Sequence, residues 1–516
     1  MTRVLFFGTH PKQFNGYSKV VYELARCMSS MKDIDLTIYG FQNFHDNKKH
    51  RIDFPNNVNV YDAFANENPK SKGFGQNEVC DFVQLHDPDV VIVYNDMVVL
   101  SSIVSELKKI PDARFKIIGY IDQVYLNQKK MFVDFINKNI DVSMLFTPHW
   151  ENIIKELGVT TPTCNLPHGF NKFNFYPIPK EIARSYFNLS QNDFIILNLN
   201  RNQPRKRWDI CLKAFAEVVS RHPNDPIKMM IGTSVQGEWN LLEVFERELK
   251  KRSLTLEDGM KHIIIMDNPQ KVTDEETNIL YNVADIGINT CDGEGFGLCN
   301  FEQAGIGIPQ IVPRLGGFID FFDDECAALQ DPQMAYYVGS SRDSVGGEAL
   351  LISYIDVVDA IENYYNNKEM RELHGSRSRK RINRDYKWED IAKKLRRIIK
   401  QTVGISSEEL DREEKMEETK VKDSILSEIE RVDTDSEKEK EKEKEGESDK
   451  IDSEMMKKFI PSNDIPPISQ SPQPQSPLIP PTHTPTPTEK KKVTKSDVLA
   501  LQKQISAMLQ MIGDDE

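Results

Sequence analysis

The chain has 516 residues, a hydrophobic content of 39% and a formal net charge of −14. This length exceeds a single hydrophobic core, so two or more domains are expected. Most of the net negative charge lies in residues 405–460, so the rest of the chain is nearly balanced and gives no argument for nucleic-acid binding.

The first part of the chain alternates short apolar runs with amphipathic stretches. Strands are predicted at residues 3–8, 89–95, 115–121 and 142–148, and helices at residues 17–31 and 149–158. The N-terminal apolar run is too short for a signal peptide and is assigned to the first strand instead. Continuous apolar strands that alternate with helices indicate a parallel sheet covered on both faces.

A second series of the same kind follows. Strands are predicted at residues 194–200, 227–232, 262–267, 284–290 and 309–313, and helices at residues 209–222 and 274–284. The pattern breaks near residues 169–187. We therefore predict an α/β protein with two doubly wound, Rossmann-like domains, residues 1–175 and 176–404.

The character of the sequence changes after residue 404. Residues 405–493 are first highly charged and then rich in proline, and neither composition offsets the entropy of ordering, so a disordered linker is predicted. Residues 494–513 regain an apolar stripe at helical spacing and predict a short amphipathic helix. A helix of that length is marginal alone, so a protein partner or self-association through it is expected.

The cysteines and the hydropathy constrain the location of the protein. The seven cysteines are scattered without any C-x-x-C spacing, which argues against a disulfide framework or a zinc site and favours a reducing compartment. No apolar run is long enough for a transmembrane helix. A cytoplasmic location is therefore predicted.

Two glutamates, Glu294 and Glu302, flank a glycine-rich loop that follows the predicted strand 284–290. Ligands bind at the carboxyl ends of strands in open α/β sheets, so both carboxylates are expected near a crevice. A helix that starts near Leu298 or Cys299 would direct unpaired N–H groups at the same space and favour a phosphate. Since carboxylates suit hydroxyl groups, the pattern indicates a nucleotide that bears a second polyhydroxylated group. A solvated strand–loop–helix turn is the alternative.

The stretch "EGFGLCNFEQAGIGIP" resembles the E-x7-E signature of retaining glycosyltransferases of family 4, which have the GT-B fold. The resemblance covers roughly residues 1–400. Residues 15–25 resemble the first glycine loop and helix of the family, residues 199–215 its basic stretch, and residues 386–398 the closing helix that crosses back to the first domain. The resemblance implies two Rossmann-like domains that face a cleft.

The resemblance also implies roles for individual residues. Arg201 and Lys206 match the basic pair that neutralises the donor diphosphate, a role that suits a leaving group of growing negative charge. Glu302 is expected to bind the ribose hydroxyls, and Glu294 the hydroxyls of the donor sugar beside the reacting carbon. For the basic run at residues 201–207, a solvated turn is the alternative.

The glycine-rich loop and its counterpart in the first domain are expected to hold the diphosphate. In the second domain the predicted contacts come from the backbone of Gly295, Phe296, Gly297 and Leu298. Gly16, in the first domain, is expected to let the diphosphate approach closely. As an ordinary turn glycine it would have no such role.

The sequence departs from the family pattern after a first-domain strand. Many members have a histidine there, close to the donor sugar, whereas this chain has Asp122 near the equivalent position. An ionised aspartate accepts hydrogen bonds but cannot donate them. Asp122 is retained as a candidate catalytic residue, with a strand-end cap as the alternative. His168, which replaces a more usual asparagine, is predicted to be structural.

The resulting hypothesis is transfer of a sugar from a nucleotide-sugar donor to an acceptor (a glycan, protein or lipid) with retained anomeric configuration. No metal ligands are apparent and fixed cations can replace a metal at a diphosphate, so no metal or other cofactor is predicted. Two alternatives stay open: a GT-B nucleotide-sugar hydrolase or epimerase, and a non-catalytic nucleotide-sugar-binding or scaffold protein.

Overall fold

A computed structural model describes residues 1–44, 50–68, 70, 72–266, 272–339, 344–413, 415–416 and 419. Nearly all of the predicted linker and the whole of the predicted terminal helix therefore lie outside the described residues. All seven cysteines are free. None of the described helices is long and apolar enough to cross a membrane.

The first lobe is built on a sheet of seven parallel strands in the order β3-β2-β1-β4-β5-β6-β7. Its strands are β1 (Thr2–Thr9), β2 (Ile34–Phe41), β3 (Asn59–Asp62), β4 (Val90–Asn95), β5 (Lys116–Ile121), β6 (Val142–Leu145) and β7 (Thr163–Asn165). Every residue of β4 is buried, and so is every residue of β1 except one. This burial is expected of a parallel sheet that is covered on both faces.

Six helices belong to the first lobe: α1 (Gly16–Met28), α2 (Ala63–Asn66), α3 (Val79–His86), α4 (Met97–Leu107), α5 (Lys130–Asn139) and α6 (Pro148–Glu156). Helix α1 begins directly after the loop that follows β1. Its N-cap is Asn15, whose side chain accepts a hydrogen bond from the backbone N–H of Ser18. The cap fixes the start of the helix at Gly16.

The second lobe is built on a sheet of six parallel strands in the order β10-β9-β8-β11-β12-β13. Its strands are β8 (Phe194–Asn198), β9 (Ile227–Ile231), β10 (Ile263–Ile265), β11 (Ile286–Ile288), β12 (Gln310–Pro313) and β13 (Ala328–Gln330). An antiparallel hairpin of β14 (Pro332–Val338) and β15 (Gly347–Ile352) follows this sheet.

Ten helices lie between residues 180 and 402: α7 (Lys180–Tyr186), α8 (Trp208–Arg221), α9 (Leu241–Lys250), α10 (Leu256–Met260), α11 (Asp274–Val283), α12 (Leu298–Ile306), α13 (Phe318–Phe321), α14 (Tyr354–Asn366), α15 (Lys368–Asp385) and α16 (Trp388–Thr402). Helix α12 starts at Leu298, as predicted from the sequence.

Both sheets have the strand order of a Rossmann fold, which confirms the predicted α/β class and its two doubly wound sheets. The strand order reverses between β1 and β4 in the first lobe and between β8 and β11 in the second. Ligands bind at such switch points, beyond the carboxyl ends of the strands. The domain division at residue 175 stays a prediction, although it falls between the two sheets.

The two lobes share buried contacts. Helix α16 packs against α1 of the first lobe, and Arg396 and Lys400 of α16 both form ion pairs with Asp33, at 2.9 Å in each case. One hydrophobic cluster contains residues of both sheets. Residues 407–413 are helical beyond the predicted boundary at residue 404, and Leu410 is fully buried.

The β14–β15 hairpin is a second link between the lobes, and the sequence did not indicate it. Leu126 of the first lobe pairs with Glu348 of β15 through two backbone hydrogen bonds of 3.0 and 2.8 Å. Lys129 donates from Nζ to the carbonyl of Ser344 at 2.9 Å. The hairpin therefore extends across to the segment that follows β5.

Candidate functional site

Loops at the carboxyl ends of strands from both lobes meet at the boundary between the lobes, and this boundary region is called the crevice below. Gly16 follows β1 and Asp122 follows β5, while Lys206 follows β8 and Glu294 follows β11. Three of these four positions lie next to a strand at a switch point. The arrangement brings most of the predicted site residues together.

The glycine-rich loop of the second lobe lies directly on the first lobe. A Cβ added at Gly295 would lie only 1.9 Å from Oδ1 of Asp122, so a larger residue would collide with that carboxylate. The carbonyl of Gly295 accepts a hydrogen bond of 2.9 Å from Nε1 of Trp150, on α6. The sequence GEGFG thus permits a contact between lobes as well as a turn.

Glu294 is buried and surrounded by donors. Lys206 donates from Nζ to Oε2, Arg205 lies 3.4 Å from Oε1, and Asn289 lies 3.4 Å from Oε2. Burial raises the pKa of Glu294, but the two cations outweigh it and lower that pKa to about 2. Glu294 is therefore an ionised acceptor at neutral pH.

Of the predicted basic pair Arg201 and Lys206, only Lys206 lies at the Glu294 carboxylate. A short 3₁₀ turn at Pro204–Lys206 directs Arg205 and Lys206 inward, and Arg205 also donates to the carbonyl of Gly293 at 2.7 Å. Arg201 precedes the turn and its side chain is exposed. The sequence alone does not single out Arg205, because the run "RNQPRKR" offers four cations and only the turn selects among them.

The N-terminus of α12 opens into the crevice. Gly297 adopts a left-handed conformation with φ of +90° and provides no side-chain cap for the helix. The neighbouring Phe296 side chain is buried instead, with ring centroids 4.5 Å from His168, 4.9 Å from Phe301 and 5.1 Å from Phe321. Phe296 thus anchors the loop, and its backbone stays the part predicted to face phosphate.

Helix α1 begins opposite α12. A Cβ added at Gly16 would lie 3.5 Å from Cδ2 of Leu298, the first residue of α12. Two helix N-termini from different lobes therefore approach each other across the crevice. Helix N-termini favour anions through their unpaired N–H groups and their dipoles, so this position suits the predicted diphosphate.

Glu302 lies in α12, just over one turn beyond Leu298, and is bound from both lobes. Lys19 of α1 donates to Oε1 at 2.8 Å and to Oε2 at 2.9 Å, and the hydroxyl of Tyr281 donates to Oε2 at 2.9 Å. Burial raises the pKa of Glu302, and Lys19 opposes that rise. Lys19 was not predicted from the sequence, although it follows Gly16 by three positions and so lies on the same helix face.

Asp122 is a buried carboxylate at the boundary of the lobes. Its Oδ2 accepts a hydrogen bond of 2.5 Å from the hydroxyl of Tyr17, next to Gly16. Burial raises the pKa of Asp122, while the Arg205 guanidinium opposes that rise. Among the described hydrogen bonds this side chain accepts from Tyr17 and caps no backbone N–H group, which disfavours the strand-end cap considered above.

A chain of buried amides supports the glycine-rich loop from below. Asn289, directly after β11, donates to Asn300 of α12 at 3.0 Å and to Asn200 at 3.3 Å. Asn300 in turn donates to Gln310 at 2.8 Å. Because buried polar networks hold their members in fixed positions, these amides orient the start of α12 relative to Glu294.

A cavity of about 740 Å³ lies elsewhere, on the second lobe between α8, α9 and the start of α14. Its walls include Lys213, Trp239, Arg247 and Tyr354, and none of the predicted site residues lines it. The crevice between the lobes, which holds those residues, is the better candidate site.

In the part of the chain that the structure describes, no group of His, Cys, Asp and Glu side chains is suited to hold a metal ion. The prediction that no metal or cofactor is needed stays a prediction.

Part of the chain is similar to known sequences. Residues 171–395 match the family described as "Family 4 Glycosyltransferase in conflict systems". The chain is 29% identical over 153 residues to D-inositol 3-phosphate glycosyltransferase 2 of Catenulispora acidiphila, which covers 29% of this chain and 34% of the relative. It is 22% identical over 187 residues to mannosylfructose-phosphate synthase of Agrobacterium fabrum, and this match covers 35% of this chain and 39% of the relative. The chain therefore spans little more than a third of the curated relatives it matches.

Solved structures are similar over a larger part of the chain. Sucrose-phosphate synthase of Thermosynechococcus elongatus has a TM-score of 0.61 at 14% identity, over 79% of this chain and all of that chain. HepE of Anabaena in complex with UDP and glucose has a TM-score of 0.58 at 13% identity, over 78% of this chain and all of that chain. At these identities the similarity establishes the fold, which is GT-B.

Proposed function

We propose that the chain transfers a sugar from a nucleotide-sugar to an acceptor, because residues 171–395 match a family 4 glycosyltransferase family and the chain has the GT-B fold. The observation that carries this proposal is the approach of two helix N-termini across the crevice. Leu298 of α12 lies against Gly16 of α1, and each helix places a charged residue about one turn further on. A diphosphate between the termini would leave Glu302 beside the ribose and Glu294 beside the sugar.

In the proposed reaction the diphosphate leaves with increasing negative charge. Lys206 lies at the crevice and the exposed Arg201 is free to turn toward it, so both can stabilise that charge. Arg205 stays bound to Glu294 and Gly293 and holds the loop. The protein contributes mainly fixed charges and backbone dipoles, which need no reorganisation as the bond breaks.

Glu294 has the properties needed to position the donor sugar. It is ionised at neutral pH, and sugar hydroxyls can exchange with the donors that now bind it. Retention of configuration is proposed to follow from attack on the same face as the leaving group, with the departing phosphate as base. Asp122, held by Tyr17 next to Gly295, would then accept a hydrogen bond from the sugar.

The neighbouring proteins indicate which ligands to try first. HepE of Anabaena was crystallised with UDP and with UDP-glucose, so uridine nucleotides are the first donors to test. Both curated relatives above are named for phosphorylated compounds, so phosphorylated polyols and sugars are the first acceptors.

The experiment is a thermal-shift and calorimetric screen with UDP, GDP, ADP and their hexose derivatives. A ligand at 100 times its Kd stabilises the folded state by about 2.7 kcal/mol, which is readily measured. One nucleotide series should bind, and its sugar derivative should be consumed faster when an acceptor is present. Consumption at the same rate without acceptor would indicate a hydrolase or epimerase. Binding without consumption would indicate a scaffold, and the absence of binding would contradict the proposal.

A further inference from the structure

Lys19 and Glu302 form an ion pair between the lobes that the proposed reaction does not use. The Lys19 ammonium donates to both carboxylate oxygens of Glu302, at 2.8 and 2.9 Å. The two side chains are only 13% and 4% exposed. The cost of removing such a pair from water is offset only when further polar groups bind it, so the side chains around the pair are described next.

Two further charged side chains join this contact, and the resulting cluster of four charged side chains is neutral. Asp274 of α11 lies 3.6 Å from the ammonium of Lys19. Arg51 binds Asp274 through Nε at 2.9 Å and is itself anchored in the first lobe, where it donates to the Pro11 carbonyl at 2.6 Å. The cluster therefore contains two cations of the first lobe and two carboxylates of the second.

The Lys19 ammonium is held from several sides. It lies 4.4 Å from the centre of the Phe175 ring, so an aromatic face as well as two carboxylates fixes its position. On the other side of the carboxylate, the Tyr281 hydroxyl donates to Oε2 of Glu302 at 2.9 Å. The orientation of the Glu302 side chain thus depends on donors from both lobes.

We propose that Lys19 is a positioning residue for ribose recognition, which it supports by holding the Glu302 carboxylate as an acceptor. The inference rests on the proposed function. A carboxylate has about four acceptor positions, and the described hydrogen bonds occupy three of them. One ribose hydroxyl can bind the open position, and a second can replace one of the two bonds from Lys19, whose ammonium keeps Asp274 as a partner.

This arrangement links ribose recognition to contact between the lobes. Glu302 is buried, and without the ammonium the Tyr281 hydroxyl would be its only remaining donor among the described residues. A buried carboxylate without its cation becomes protonated or turns away from the low-dielectric site. In either case it would no longer accept bonds from both ribose hydroxyls, whereas contacts to the base and the diphosphate would persist.

The test compares ribose with dideoxyribose nucleotides. Calorimetry would measure the binding of UDP, GDP and ADP and of their 2′,3′-dideoxy counterparts to the full chain. Wild type should bind the preferred nucleotide at least about tenfold more tightly than its dideoxy form, which corresponds to about 1.4 kcal/mol. In Lys19→Met this preference should nearly vanish, because the affinity for the ribose form falls while that for the dideoxy form changes less than about twofold. Lys19→Arg should retain part of the preference.

Lys400→Met is the matched control. Lys400 also forms an ion pair that joins the lobes, with Nζ 2.9 Å from Oδ2 of Asp33; the lysine side chain is 8% exposed and the aspartate side chain 32%. Loss of this pair should lower the melting temperature and leave the ribose preference unchanged. The control therefore separates a general loss of stability from the specific effect on ribose.

Three results would overturn the inference. Lys19→Met could keep the full ribose preference. It could also weaken the binding of the ribose and dideoxyribose nucleotides equally, as expected if Lys19 had a purely structural role. If Lys19→Met does not fold, the double variant Lys19→Met with Glu302→Gln removes both charges together and should show no ribose preference, so a persisting preference overturns the inference. Failure of wild type to bind any nucleoside diphosphate would instead refute the proposed function, and the inference with it.

Discussion

The ammonium of Lys206 is bound to the carboxylate of Glu294, and both side chains are buried where the loops after β8 and β11 meet. The cation expected at the diphosphate and the carboxylate expected at the sugar thus neutralise each other in the described structure. A nucleotide-sugar that lies between them would bring its own negative charge to Lys206 and its hydroxyls to Glu294. This exchange of partners is the electrostatic basis of the proposed reaction.

Lys206→Ala should reduce turnover about a hundredfold or more, because it removes a fixed charge that stabilises the leaving diphosphate. Glu294 keeps Arg205 and Asn289 as partners, so the variant is expected to fold. Lys213→Ala is the control, since that lysine lies on α8 at the separate cavity and contacts the Tyr354 ring. Turnover near that of wild type in folded Lys206→Ala would refute the assignment.

The two glutamates should have separable effects. Glu302→Ala should weaken binding of the free nucleoside diphosphate, because it removes the predicted ribose contacts. Glu294→Ala should leave that affinity nearly unchanged and impair turnover of the intact sugar nucleotide. Calorimetry with the diphosphate and a turnover assay on both variants would measure this difference, and an equal loss of diphosphate affinity would contradict the division of roles.

Substitutions of Arg201 and Arg205 should also have different effects, although the two residues lie only four positions apart. Arg201 is exposed, so Arg201→Gln should weaken diphosphate binding without a change in melting temperature. Arg205 holds the carbonyl of Gly293 and the carboxylate of Glu294, so Arg205→Gln should lower the melting temperature and turnover together. Scanning calorimetry of both variants tests this, and a lower melting temperature for Arg201→Gln alone would reverse the assignment.

The pH dependence of stability should reveal the charge of Glu294. Its pKa lies at about 2 in the folded state, against 4.5 as the ordinary value. A carboxylate with a lowered pKa stabilises the fold above its unfolded pKa and loses that contribution as the pH falls. Between pH 4.5 and 2 the contribution lost is on the order of 3 kcal/mol. Urea denaturation of wild type and Glu294→Gln should show a shallower acid dependence in the variant, and equal dependence would contradict the ion pair.

The sequence was sufficient to predict nine of the fifteen described strands and the glycine-rich loop, whereas β2, β3, β7, β13, β14 and β15 were not predicted. Apolar runs such as β4 and β8 are buried on both faces, and this burial produces the pattern that was read from the residues. The loop around Glu294 was identified because its glycines are spaced for close approach. Gly295 does lie against Asp122 and Gly297 does have a positive φ.

The residues that the sequence did not indicate depend on contacts between distant segments. Lys19 lies in an ordinary amphipathic helix, and its partner Glu302 is 283 positions away along the chain, beyond strands β2 to β11. Arg205 is one of four cations in a short run, and a 3₁₀ turn decides which of them point inward. Pairing of Leu126 with Glu348 likewise needs both lobes to be in place, so no local pattern could predict it.

The central claim is that a nucleotide-sugar binds between the lobes, against the N-termini of α1 and α12. Hydrogen–deuterium exchange of the full chain, with and without the nucleotide that binds best, tests it most directly. The account predicts slower exchange of backbone amides in residues 15–20 and in residues 295–302 together. Slower exchange confined to residues 238–248 and 351–354, at the separate cavity of the second lobe, would contradict it.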